Sequence, residues 1–161
     1  MLEDAAPLLL DAAELANLTG LICFLAEHKL KLRWHYVNTW TVDYKKQTLF
    51  TVKIFSDEKS WIFYPHCFNK PGKIPFNEWF TKYNDHIDDE SLKELVWDNL
   101  QTKACKEKCK GIQNIEIMGR IFPRVCFCWS IRIRNPAGDV LERCKRLILV
   151  IRSIAEANAG V

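Results

Sequence analysis

KLKLRWHYVNTWTVDYKKQTLFTVKIF, Lys29 to Phe55, is the stretch whose period decides the fold class. Leu30, Leu32, Trp34 and Tyr36 alternate with Lys29, Lys31, Arg33 and His35, a period of two that gives a ribbon one apolar and one wet face. Asn38 supplies a turn, after which Trp40, Val42 and Tyr44 alternate with Thr39, Thr41, Asp43 and Lys45. Lys45 and Lys46 mark a second turn, and Phe50, Val52 and Ile54 then alternate with Thr51 and Lys53. The polar connection SDEK leads to a fourth short strand from Ser60 to Tyr64. Connections this short cannot carry a parallel crossover, so residues 30–64 are expected to form an antiparallel meander.

Outward from this ribbon the period changes to that of helices. In the N-terminal segment, residues 1–28, the positions Leu15, Leu18, Ile22 and Leu25 recur at helical spacing from Asp11 to His28, with Gly20 as a point of interruption. Asp88 or Asp89 can cap a helix over 88–102 in which Leu92, Leu95, Val96 and Leu100 line one side. A helix over 139–157 places Leu141, Cys144, Leu147, Ile148, Ile151 and Ile154 on one stripe. Between these two helices, residues 103–134 hold a cysteine loop, a short strand at Ile115 to Met118, and a strand in which Val125, Phe127, Trp129, Ile131 and Ile133 alternate with Cys126, Cys128, Ser130, Arg132 and Arg134. Pro65 to Pro75 reads as a loop, and Phe76 to Tyr83 as a short amphipathic helix. The expected architecture is α+β over 1–161: a single antiparallel sheet of five or six strands, covered on one face by N- and C-terminal helices. Trp34, Val42, Val52 and Trp129 are expected to turn inward.

Composition narrows the classes of function. A chain of 161 residues, 48% hydrophobic and 27% charged, is long enough for one substantial core, and six Trp with nine Phe make that core aromatic. Leu8 to Leu10 are flanked by Glu3, Asp4 and Asp11 with no Lys or Arg before them, which is not the pattern of an export signal. No apolar run reaches the roughly 18 residues of a membrane span. The expectation is a cytoplasmic protein with no membrane association. A net charge of +3 does not by itself point to nucleic acid. GxGxxG, GxxxxGK[ST], HExxH and GxSxG are all absent from the sequence, and no catalytic residue is assigned.

The seven cysteines carry the remaining chemistry. In a chain that is not exported, free thiols, metal ligands or a reactive group are expected before a disulfide framework. Cys105 and Cys109 share a face if their segment is helical, and Cys126 and Cys128 point to one side of a strand. Four thiolates so gathered suit zinc, with sulfur bonds of about 2.3 Å, and Lys103, Lys106, Lys108 and Lys110 would help stabilise them. The spacing is not that of a C-x2-C knuckle, so thiols packing as small hydrophobes, or a redox pair of Cys105 and Cys109, stand beside this reading. Cys144 lies on an apolar stripe and is expected in the core. His66 and Cys67 are adjacent, and adjacent residues on an extended chain point apart, which argues against a nucleophile pair.

KLKLRWHYVNTWTVDYKK, ELVWDNLQTKACKEKC, IMGRIFPRVC and LERCKRLILVIRSI together resemble a family of small uncharacterised bacterial domains. In that family a W-x5-W-x-V-x-Y strand pair is followed by a cysteine loop, a G-[KR]-x-F-x-x-V-C strand and a closing helix. The resemblance lends weight to Cys105, Cys109 and Cys126 and none to Cys128. Relatives carry a further Cys where this chain has Thr102, a departure that weakens a shared metal site.

The leading expectation is a non-enzymatic binding or regulatory domain for a small molecule or protein partner, with Trp34, Tyr36, Trp40 and Tyr44 as candidate cleft residues. A structural zinc site at Cys105, Cys109, Cys126 and Cys128 would accompany it. The competing classes are a thiol redox sensor or enzyme using Cys105 and Cys109, and a nucleic-acid-binding accessory domain using Lys31, Arg33, His35, Arg132 and Arg134. Aromatics that alternate toward a core disfavour the last, because stacking on bases needs exposed rings.

Overall fold

A computed structural model describes residues 1–45, 47–66, 86–104, 107, 111–126 and 131–158. Asp11 starts the helix that the N-terminal spacing predicts: its side chain accepts the Glu14 N–H at 3.0 Å, and Ala12–Glu27 (α2) follows a shorter helix, Leu2–Leu9 (α1). Gly20 does not interrupt α2, and a Cβ built there would first meet Leu141 Cδ2, 4.0 Å away. The chain continues through strands Leu32–Tyr36 (β1), Thr39–Tyr44 (β2), Gln47–Phe55 (β3) and Ser60–Pro65 (β4) to the helix Glu90–Asn99 (α3). Strands Ile112–Ile117 (β5), Arg120–Val125 (β6) and Ile133–Arg134 (β7) and the helix Gly138–Asn158 (α4) complete it. The fold is α+β, with helices at both ends of the chain and a five-stranded antiparallel sheet. Contacts divide the chain into two units, Met1–His66 with Ile133–Val161, and Cys67–Arg132.

The first unit contains the sheet, in the order β1-β2-β3-β4-β7. Trp40 lies opposite Val52 and Val42 opposite Phe50, while Val52 and Ile54 face Phe63 and Trp61 on the next strand. Directly opposed residues share a face, so these side chains make one apolar layer, and all of them are buried. Helices cover that layer. Trp61 Nε1 donates to Glu14 Oε2 of α2 at 3.0 Å, and the Tyr44 hydroxyl donates to Glu156 Oε1 of α4 at 2.8 Å. On the other face a cross-strand row runs from Arg33 through Thr41 and Thr51 to Tyr64, and the last three are buried as well. The expected meander is present, with the central strands buried on both sides.

The second unit begins with Asp89, whose side chain accepts the Ser91 N–H at 2.8 Å and caps α3. Leu92, Leu95, Val96 and Leu100 are buried, as their spacing predicts, although the helix ends at Asn99 rather than Thr102. Strands β5 and β6 pair as a hairpin. Its turn residues Met118 and Gly119 both hold positive φ, 50° and 80°, which matches the right-handed twist of the flanking strands. Trp97 Nε1 donates to the Ile117 carbonyl at 2.9 Å and ties α3 to this hairpin.

Three expectations need correction. Trp34 is not in the core: its strand lies at the sheet edge, and the side chain is 63% exposed. Trp34 and Tyr36 do not share a face either, because the register shifts between them. Trp34 stands opposite Trp40 but Tyr36 opposite Thr39, and a one-residue shift moves a side chain across the sheet. The alternation from Val125 to Arg134 is not one strand. Val125 pairs with Ile112 in the hairpin, whereas Ile133 pairs with Phe63 in the large sheet; the period survives a break in pairing and so conceals it. Trp129 and the helix expected over Phe76 to Tyr83 lie outside the described residues, as does the loop after His66.

Glycine in a helix interior costs about 0.5–1 kcal/mol relative to alanine, and Gly20 has room for a methyl group. Gly20→Ala is expected to stabilise the protein by about that amount in urea unfolding; a loss of stability would contradict the placement of α2 beside Leu141.

Candidate binding groove and the buried polar face

Helix α2 ends in a Schellman motif. The Lys29 N–H bonds the Ala26 carbonyl at 3.0 Å and the Leu30 N–H bonds the Leu25 carbonyl at 2.8 Å, with Lys29 in the left-handed region at φ 59°. Leu25 and Leu30 are both buried at this corner. The chain then enters β1 with Leu32, opposite Val42 on the helix-covered face. A groove of about 410 Å³ opens here, lined by Met1 and Glu3 at the start of the chain, Ile22, Leu25 and Ala26 of α2, and Lys29 to Leu32. Lys29 and Lys31 are exposed and make no ion pair among the described residues. Two residues further along β1 stands the exposed Trp34, and Val37 in the following turn is 74% exposed.

The opposite face of the sheet is polar and largely closed. Arg33 Nε donates to Asp43 Oδ2 at 3.0 Å and Thr48 Oγ1 donates to Asp43 Oδ1 at 2.7 Å. Burial alone would raise the Asp43 carboxyl, but these two hydrogen bonds, with the charges of Arg33 and His35, hold it below the usual carboxylate range. Thr51 Oγ1 and His66 Nε2 are hydrogen-bonded at 2.7 Å. Burial pushes His66 down to about 4; the Asp43 charge opposes that shift and the His35 charge adds to it. An imidazole so hard to protonate is a weak base near neutral pH, and Thr51 is buried.

The expected site residues do not gather around one cleft. Trp34 and Tyr36 are exposed on opposite sides of the edge strand, Trp40 is buried, and half-buried Tyr44 is bonded to Glu156 beneath the Arg152 guanidinium, 5.1 Å from its ring centre. Cys126 is buried just past β6, and its N–H bonds the Gln101 carbonyl at 2.7 Å. Cys105, Cys109 and Cys128 lie outside the described residues, and no metal-ligand cluster is found among the described ones. Cys144 is in the core as expected, and burial pushes its thiol up to about 12, against the pull of Arg143. Of the basic residues suggested for nucleic acid, Arg33 is paired with Asp43 and Arg134 with Glu58.

Sequence reasoning missed the groove because period two begins on paper at Lys29, which places Leu30 in a strand. Leu30 instead closes the helix end. The available signal was the pair Leu25 and Leu30, whose contact commonly accompanies this kind of helix end. No family model, curated protein or solved structure matches the chain.

His66 also sets a pH dependence. Its folded value of about 4 lies below its ordinary 6.5, so between those limits the unfolded chain binds a proton that the folded chain refuses. Stability should therefore fall as pH drops from about 6.5 to about 4, by on the order of 3 kcal/mol from this group. Urea midpoints measured across that window should flatten in His66→Gln, and an unchanged slope would contradict the buried, neutral imidazole.

Proposed function

We propose that the protein is a non-enzymatic binding module that takes an apolar group into the groove between α1, α2 and β1. The observation that carries this reading is the groove itself. Its volume of about 410 Å³ falls in the range of small-molecule pockets, roughly 300–1,000 Å³, and its walls are Ile22, Leu25, Leu30 and Leu32. Exposed Trp34, on the same face of β1 as Leu32, extends the apolar surface beyond the mouth. Thr41 and Thr51 on the polar face are buried.

The proposal places this module in the bacterial cytoplasm, on the likeness of its motifs and on Cys23 and Cys144 being free thiols. Among the described residues no helix is long and apolar enough to cross a membrane. Zinc held by Cys105, Cys109, Cys126 and Cys128 remains a proposal from the sequence pattern, and would act as a staple in the second unit.

N-phenyl-1-naphthylamine, a neutral apolar fluorophore, tests the reading directly. Its emission should rise and saturate at one probe per chain. Ala26→Phe fills the groove from an exposed helix position and should weaken binding about tenfold with the melting temperature kept. Lack of saturable binding, or full binding by the filled variant, would contradict the proposal.

A further inference from the structure

Lys29 occupies a position where glycine fits without strain. At φ 59° an L side chain crowds its own backbone, and helix ends of this form ordinarily use glycine there. Lys45 and Lys59 hold the same conformation in turns, at φ 45° and 48°, but neither lines the groove. Lys29 does, with Lys31 two residues on, and the only carboxylate among the lining residues is Glu3. With the Met1 ammonium paired to Asp4, the two lysines, neither of them ion-paired among the described residues, stand against the one acid Glu3 and leave a positive rim beside an apolar trough.

We infer that the groove is an acceptor for an apolar anion, a medium-chain carboxylate whose hydrocarbon lies along Ile22, Leu25, Leu30 and Leu32 while its head group meets Lys29 and Lys31. This rests on the reading of the groove as a binding site and adds the charge of the occupant. The strained lysine is then explained: its ammonium is needed at the rim, and the conformational cost is retained for that use. Arg33, next along the strand, is already neutralised by Asp43 and does not contribute.

Competition against N-phenyl-1-naphthylamine separates the two readings. Decanoate should displace the probe about fivefold better than decylamine, as two exposed charge contacts allow, and the advantage should shrink in high salt. Lys29→Gly combined with Lys31→Gln should abolish the preference, read as the ratio of decanoate to decylamine displacement measured in that same variant. Lys29→Gly and Lys59→Gly alone should each raise the melting temperature by about 3 °C, but only the former should lower decanoate affinity. Failure of the probe to bind overturns both readings. Probe binding without a decanoate preference, or a preference that survives the double variant, overturns this one alone.

Discussion

The register of β2 against β3 is the constraint on which the first unit depends. With Trp40 opposite Val52 and Val42 opposite Phe50, these four side chains and Ile54 share the helix-covered face, while Thr39, Thr41 and Thr51 lie on the other. A slip of one residue would pair Val42 with Thr51, so that one of the two strands would turn its threonines toward the helices and its large apolar side chains outward. The extra residue Leu49, skipped where the pairing jumps from Val42–Phe50 to Asp43–Thr48, keeps the register correct on both sides of the jump. It also brings Asp43 within reach of Arg33 and Thr48.

The groove follows from the same geometry at the sheet edge. The helices cover the centre of the apolar face, but β1 lies at its margin, and the chain reaches β1 by turning out of α2 through Lys29. Leu32 therefore sits at the boundary of the covered area and Trp34 outside it. An edge strand with exposed rings invites unwanted strand pairing. Here the bulge at His35 and the charges of Lys31 and Arg33 oppose it.

Much of the fold is legible in the sequence because burial on one face imposes period two on β2 and β3, and period 3.6 on α2 and α4. Asp89 as a cap and Cys144 as a core residue are likewise readable from local chemistry alone. What alternation does not encode is position within the sheet. Trp34 and Trp40 look alike in the sequence and directly face one another, yet one is at an edge and the other inside. Bulges are equally silent, so Tyr36 is assigned to the wrong face by counting. The groove arises where a helix end and a strand start converge, and neither period describes that place.

Nuclear Overhauser contacts between backbone protons across β2 and β3 test the central claim most directly. The account predicts contacts linking Val42 with Phe50 and Trp40 with Val52. Contacts linking Val42 with Thr51 instead would put a valine and a threonine on the same face and contradict it.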